Sequence, residues 1–172
     1  MPSPCRPPQV TLVGDAEASP DACAAAERIG AFCARHGLTL VTGGRGGVME
    51  AASRGAATHG GLVVGILPSA HFAEANPYCR VVVPTGIGWT RNSVNALCGD
   101  VVVAIGGGAG TLSELAYAWI YGRPILTLGG SGGWADRLAG APLDHRGTSH
   151  VTHCDSVEEL ETALLAACER PA

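Results

Sequence analysis

Short apolar runs alternate with amphipathic stretches along almost the whole chain. The apolar runs predict strands over residues 9–13, 39–42, 62–67, 80–83, 101–105, 125–128 and 150–152. Helical spacing between them predicts helices from Pro20, capped by Ser19, to about residue 36, then over 47–59, 89–97 and 111–121. A last helix is predicted from Asp155 or Ser156 to about residue 169. Residues 68–77 have no regular pattern.

Alternating strands and helices predict a three-layer α/β sandwich around a mostly parallel, Rossmann-like sheet. A length of 172 residues favours one domain spanning residues 1–172, with a proline-rich, frayed start over residues 1–8. Residues 129–147 form a long glycine-rich segment. Segments of this length are commonly either functional lids or flexible edges, and the sequence leaves both open.

The most informative segment is residues 101–114, where an apolar strand enters a glycine-rich loop and a helix follows. The loop holds Gly106, Gly107, Gly108, Ala109 and Gly110, and the predicted helix opens at Thr111. Free backbone N–H groups and the positive end of the helix dipole attract phosphate, and glycines let it approach the backbone. The alternative is that Thr111 and Glu114 form a capping box that only holds the first helical turn.

A second glycine loop follows the 39–42 strand. It comprises Gly43, Gly44, Arg45, Gly46 and Gly47, and it leads into the helix of residues 47–59. Loops at the carboxyl ends of neighbouring parallel strands line one crevice, where ligands bind. We therefore expect a phosphorylated or otherwise anionic ligand, with the Arg45 charge beside it.

Other classes of function are disfavoured by motif and composition. The 106–110 loop is followed by Thr111 where a dinucleotide-binding fingerprint needs a third glycine, and no acidic residue closes the 39–42 strand to hold a ribose, which disfavours NAD binding. Neither loop has the Gly-Lys-Ser/Thr ending of a P-loop, which disfavours ATP hydrolysis. A net charge of -4 argues against a general nucleic-acid binder. His150, His153 and Cys154 have no second cluster to complete a metal site, so no metal is expected.

Cysteine usage and hydropathy point to the cytoplasm. The seven cysteines are odd in number and include no C-x-x-C pair, so we expect reduced and mostly buried thiols. No signal peptide and no membrane span are predicted.

Charged and aromatic residues near the loops are candidates for chemistry. Arg91 follows a glycine turn at the carboxyl edge of the sheet, where its guanidinium could hold a phosphate or an acceptor-rich ring, or pair with a surface carboxylate. Trp89 could stack on a ligand or cover the core. Tyr117, Trp119 and Tyr121 fall on more than one face of their helix, which favours core packing and a subunit interface.

The chain resembles the LOG-like proteins, a superfamily also labelled lysine decarboxylases, and most closely its molybdenum-cofactor-carrier-like branch. The matching segments are residues 42–44, 47–50, 65–68, 76–78, 84–86, 91–92 and 106–114. The resemblance implies a Rossmann-like homo-oligomer, at least a dimer. It does not support decarboxylation, because the chain has no lysine to hold pyridoxal phosphate.

LOG enzymes hydrolyse the N-glycosidic bond of nucleoside 5'-monophosphates without a metal, and the resemblance places their catalytic Arg and Glu at Arg91 and Glu114. A carboxylate can stabilise the oxocarbenium-like sugar and assist the attacking water. Two departures from LOG enzymes are shared with the carrier-like branch: Gly106 in place of proline, and Asn92 in place of lysine.

Two hypotheses follow, a nucleotide N-glycosidase and a non-catalytic carrier of a phosphorylated pterin. Retention of both catalytic residue types favours the enzyme narrowly. No cofactor is expected to be required, although molybdenum cofactor is a possible carried ligand. The predicted catalytic residues are Arg91 and Glu114, and the predicted ligand-binding residues are Gly14, Gly43, Gly44, Arg45, Gly46, Gly47, Pro84, Thr85, Gly86, Trp89, Asn92, Gly106, Gly107, Gly108, Ala109, Gly110 and Thr111.

Overall fold

The computed structural model describes residues 6–169. One seven-stranded sheet, parallel throughout, forms the centre of the molecule. Its strands are β1 (Gln9–Gly14), β2 (Thr39–Thr42), β3 (Val63–Leu67), β4 (Val81–Pro84), β5 (Val101–Ile105), β6 (Ile125–Leu128) and β7 (Val151–Cys154). The α/β, Rossmann-like prediction is confirmed.

The strand order is β4-β3-β2-β1-β5-β6-β7. Strands β2, β3 and β4 therefore lie on one side of β1, and β5, β6 and β7 lie on the other. Val10 of β1 is paired with Leu40 of β2 on one side and Val101 of β5 on the other. The loops after β1 and β5 therefore leave the sheet in opposite directions. This reversal opens a crevice at the carboxyl ends of the two strands, which is where open α/β sheets bind ligands.

Six α-helices cover the two faces of the sheet: α1 (Pro20–Arg35), α2 (Val48–Thr58), α3 (Arg91–Cys98), α4 (Ala109–Ile120), α5 (Gly133–Leu138) and α6 (Val157–Cys168). Helices α1, α2 and α6 pack on one face over a core that includes Leu12, Ile29 and Leu164. Helices α4 and α5 cover the other face over a smaller core with Leu115 and Trp119. The helices of each face bury one side of the apolar central strands.

Helices α1 and α2 cross at very short range because glycines face the partner backbone. A Cβ at Gly30 would lie 2.0 Å from the Ala52 carbonyl oxygen, and one at Gly55 would lie 1.9 Å from that of Glu27. Both distances are impossible for real side chains. Gly30 and Gly55 therefore set the distance between α1 and α2. Because α2 directly follows the second glycine loop, this contact also helps to position that loop.

Besides shifts of one or two residues at the ends of several elements, the structure differs from the predicted elements in three places. The 129–147 segment contains α5, which its glycines conceal, and 3-10 turns occur at Phe72–Glu74 and Gly88–Thr90. Helix α3 therefore begins at Arg91 and not at residue 89. Of the predicted frayed residues 1–8, residues 1–5 lie outside the described part, and Arg6 donates hydrogen bonds of 2.7 and 2.6 Å to the Asp100 carboxylate.

Three further properties bear on function. Of the described cysteines, Cys33 and Cys154 are buried and the other four half-buried, all as free thiols, so the prediction of mostly buried thiols is only partly correct. Within residues 6–169, no three His, Cys, Asp or Glu residues are grouped to hold a metal ion. No helix in the same range is long and apolar enough to cross a bilayer.

Candidate functional site

A cavity of about 190 Å³ lies at the crevice between β1 and β5. Four chain segments line it, each starting at the carboxyl edge of the sheet. The lining residues are Gly14 at the end of β1 with Asp15 and Ala16 after it, Arg45 and Met49 after β2, Trp89, Arg91 and Asn92 after β4, and Gly108, Gly110, Thr111 and Glu114 after β5. The structure therefore brings Arg91 and Glu114 to one site, together with parts of both glycine loops.

The amino end of α4 opens onto this cavity. The helix begins at Ala109, with Gly108 as the capping residue and no side-chain cap. Because a helix leaves its first N–H groups without partners, those from Gly108 to Thr111 have no acceptor among residues 6–169. The predicted capping box does not form, since Thr111 lies inside the first turn. Four donors thus remain available to an anionic ligand.

The carboxylate of Asp15 occupies the neighbouring donor. Its Oδ2 atom accepts a 2.8 Å hydrogen bond from the Gly107 N–H. A Cβ at Gly108 would lie 3.6 Å from Asp15 Oδ1, which places that second oxygen beside the start of α4. A negative charge at a helix amino end is favourable. Asp15 therefore takes the place at Gly107 that a ligand phosphate was predicted to fill.

Glu114 is buried on the second turn of α4, with only 7% of its surface exposed. Its Oε1 accepts a 2.7 Å hydrogen bond from Asn95 Nδ2 on α3. Burial raises the pKa of Glu114 to about 7, although the Asn95 hydrogen bond and the positive charge of Arg91 both favour the ionised form. A carboxyl group with a pKa near neutrality can exchange protons at physiological pH.

Arg91 is also buried, with 5% exposed, and its guanidinium is held by backbone carbonyls. Nη1 donates to the Gly43 oxygen at 2.8 Å and to the Ile66 oxygen. Burial lowers the Arg91 pKa, while the nearby Glu114 raises it. Its Nε has no partner among the described residues. Arg91 is thus a fixed positive charge in the cavity wall, linking the loop after β2 to strand β3.

Trp89 and Arg45 form the outer rim. The Trp89 ring is 78% exposed, and a Cβ at Gly110 would lie 3.5 Å from its Cζ3 atom. A second cavity of about 170 Å³ is lined by Pro68, Gly88 and the same Arg45, Trp89 and Arg91. The two cavities therefore share an aromatic ring and two cations. An exposed ring between two adjoining pockets is suited to stacking on a flat heterocycle.

Asn92, which was also predicted to bind the ligand, is buried, and its side chain faces α4. Its Nδ2 donates to Ser113 Oγ at 2.8 Å. The bond fixes the distance between α3, which carries Arg91, and α4, which carries Glu114.

The other predicted ligand-binding residues do not line the main cavity, and most have a visible packing role. A Cβ at Gly43 would lie 2.7 Å from Arg91 Nη1, and one at Gly47 would lie 2.2 Å from the Asp15 carbonyl oxygen. Thr85 Oγ1 donates to the Leu67 oxygen at 2.7 Å. These contacts position the residues that line the cavity without contacting the cavity themselves. The residues outside the lining are Gly43, Gly44, Gly46, Gly47, Pro84, Thr85, Gly86, Gly106, Gly107 and Ala109.

Sequence reasoning missed Asp15, Ala16 and Met49, which line the cavity, and Asn95, which supports Glu114. Asp15 directly follows β1, so its position at the carboxyl edge was a usable signal. Its meeting with Gly107 depends on β1 lying beside β5, which the sequence does not specify. Asn95 lies inside a helix and outside the matching segments, whereas Met49 belongs to the matching segment 47–50 but was not singled out as a ligand contact.

Comparison with known proteins finds a matching family model and similar solved structures. The sequence model of the SLOG cluster4 family matches residues 7–161. The molybdenum cofactor binding protein of Rippkaea orientalis has a TM-score of 0.84 and 33% identity, covering 95% of this chain and 98% of that one. The molybdenum cofactor carrier protein of Chlamydomonas reinhardtii has a TM-score of 0.83 and 32% identity, and the match covers 96% of this chain and 100% of that one.

A cytokinin riboside 5'-monophosphate phosphoribohydrolase of Mycobacterium marinum is 35% identical over 106 residues. The match covers 60% of this chain and 57% of that enzyme. The similarity thus spans nearly all of the two structures above and little more than half of the phosphoribohydrolase.

Proposed function

The chain belongs to the SLOG cluster4 family, within the LOG-like superfamily, and from this we propose that it binds a phosphorylated pterin, such as molybdenum cofactor, as a carrier. The observation that carries the proposal is the bipartite site, in which two adjoining cavities share Arg45, Trp89 and Arg91. A phosphorylated heterocycle has two corresponding parts, an anionic group and a flat ring. Full-length similarity to a binding protein and a carrier protein for that cofactor supports the same ligand class.

The phosphate is expected at the N–H groups of Gly108 to Thr111, on the side facing Arg45 and Arg91. Asp15 keeps it away from Gly107, because that N–H is already bonded to a carboxylate. A phosphate at this position would gain from the helix dipole and from two cations. Placing it there leaves the Trp89 ring free to stack on the heterocycle.

The two carboxylates complete the ligand's polar contacts. Asp15 Oδ1 and Glu114 line the same cavity, and ionised carboxylates only accept hydrogen bonds. A pterin ring carries amino and amide N–H groups that can donate to them. The carboxylate acceptors of the cavity therefore suit a ring rich in N–H groups, and its N–H donors and cations suit an anion.

The second candidate is a nucleoside 5'-monophosphate phosphoribohydrolase, and the Glu114 pKa of about 7 favours it. In this function the ionised carboxylate would stabilise the oxocarbenium-like sugar and accept a proton from the attacking water. Arg91 would orient the phosphate or the leaving base. Activity would rise as pH increases through about 7, because deprotonation produces the working form of Glu114.

A homo-oligomer assembled through α4 is proposed with either function. Trp119 is buried in the core, whereas Tyr121 is 60% exposed and Ile120 45% exposed. Large apolar surface at the end of a helix is often covered by a second subunit. Light scattering should give a mass of at least twice the 17.4 kDa chain, and a monomer at micromolar concentration would refute the assembly.

Base release separates the two functions. The protein is incubated, without added metal, with a panel of purine and pyrimidine nucleoside 5'-monophosphates, and free base is measured by chromatography. A carrier releases no base and binds the phosphorylated pterin. Catalytic release of base from any member, abolished by Glu114→Gln with binding retained, would replace the carrier proposal by the enzyme.

A further inference from the structure

A larger cavity, of about 470 Å³, lies on the far side of α4 from the crevice. It is bordered by α4, α5 and the segment 141–146, and none of its lining residues lines the crevice cavity. Its volume falls within the range of small-molecule sites in proteins. Neither proposed function uses it.

The cavity wall is mostly apolar, and a hydrogen bond joins two of its segments. Leu112, Ala116 and Ile120 come from one face of α4, and Trp134 and Leu138 come from α5. The buried indole of Trp119 donates its Nε1 hydrogen to Asp144 Oδ1 at 2.8 Å. Thus the segment that borders the cavity is tied to α4.

The polar groups at the rim carry a net positive charge in a chain whose total charge is -4. Arg146 is paired with Asp144 at 3.1 Å. Arg137 lies over the Trp134 ring, 5.2 Å from its centroid, and forms no ion pair with any carboxylate of residues 6–169. An unpaired guanidinium above an aromatic wall is positioned to bind an anionic group attached to an apolar body.

We propose that this cavity, the α4–α5 cavity, is a binding site for a small organic anion with a ring-sized apolar body, such as an aromatic carboxylate. The apolar body lies against Leu112, Ala116 and Trp134, and the anionic group pairs with Arg137. The site is separate from the crevice but shares α4 with it, since Leu112 lines one cavity and Thr111 and Glu114 line the other.

Titration calorimetry with 2-naphthoate tests the site, with 2-naphthalenemethanol as the uncharged control. Saturable binding of the carboxylate at one site per chain is expected, with the alcohol about fivefold or more weaker. Ala116→Phe fills the cavity and should weaken 2-naphthoate by at least about tenfold. Arg137→Gln, a surface change that leaves the fold intact, should bring the carboxylate down to the affinity of the alcohol.

Gly108→Val, which blocks the crevice, should leave 2-naphthoate binding unchanged. Equal affinity for acid and alcohol, no effect of Arg137→Gln, or no saturable binding would overturn the proposal. A dimer that Ala116→Phe converts to a monomer would also overturn it, because a second copy of the chain would then occupy the cavity.

Discussion

Replacing Glu114 by glutamine should stabilise the protein, and the gain should depend on pH. Burial raises the pKa of Glu114 from its ordinary 4.5 to about 7. Between those values the folded state holds a proton that the unfolded state has lost, so stability falls as pH rises from about 4.5 to 7 and is constant above. The charged carboxylate therefore weakens the native state at pH 8.

The size of the effect follows from the two pKa values. One pKa unit corresponds to about 1.4 kcal/mol, so ionised Glu114 costs roughly 3 kcal/mol at pH 8 and less than about 1 kcal/mol at pH 5. Glutamine cannot ionise, and its Oε1 can still accept the Asn95 hydrogen bond. Glu114→Gln should thus raise the free energy of unfolding by up to about 3 kcal/mol at pH 8 and by less than about 1 kcal/mol at pH 5.

Urea denaturation of both proteins at the two pH values measures the difference. Glu17→Gln is the matched control, since it removes the same charge from an exposed position and should change little at either pH. An equal effect of Glu114→Gln at pH 5 and pH 8, or destabilisation of the protein at pH 8, would refute a raised pKa for Glu114.

Four further substitutions test the loops and the packing. Gly108→Val should reduce binding of the phosphorylated ligand by at least about tenfold, measured by calorimetry. The fold should be retained in a thermal melt, because the nearest atom to the new Cβ is 3.6 Å away. Gly55→Ala should cost about 3 kcal/mol or more in urea denaturation, since its Cβ would meet the Glu27 oxygen, whereas Gly46→Ala should cost less than about 1 kcal/mol. Ala139, with a φ of 39°, is in the left-handed region, so Ala139→Gly should stabilise by about 1 kcal/mol, and an unchanged urea midpoint would contradict this.

The layered fold and the carboxyl-edge loops could be predicted from the sequence because buried parallel strands are nearly continuous apolar runs. The 101–105 run is completely buried, and its glycine loop does open onto the crevice. Helix α5 could not be predicted in the same way. Its six residues begin at a glycine and bury only Ala135 and Leu138, which is too little to form a helical pattern.

Within the site, Arg91 and Glu114 could be placed from sequence, but their surroundings could not. That Arg91 is bound by the carbonyls of Gly43 and Ile66 depends on the order β3-β2-β1 in the sheet. The role of Asp15 depends on β5 pairing with β1. Strand order is a long-range property that local periodicity does not encode, so contacts between distant loops required the structure.

The central claim is that the crevice recognises a phosphorylated pterin through the amino end of α4. Its most direct test is calorimetric titration of the protein with the phosphorylated pterin and with the same pterin after removal of the phosphate. The phosphorylated form should bind at one site per chain, at least about tenfold tighter than the dephosphorylated form. Equal affinities, or no binding of the phosphorylated pterin, would contradict the account.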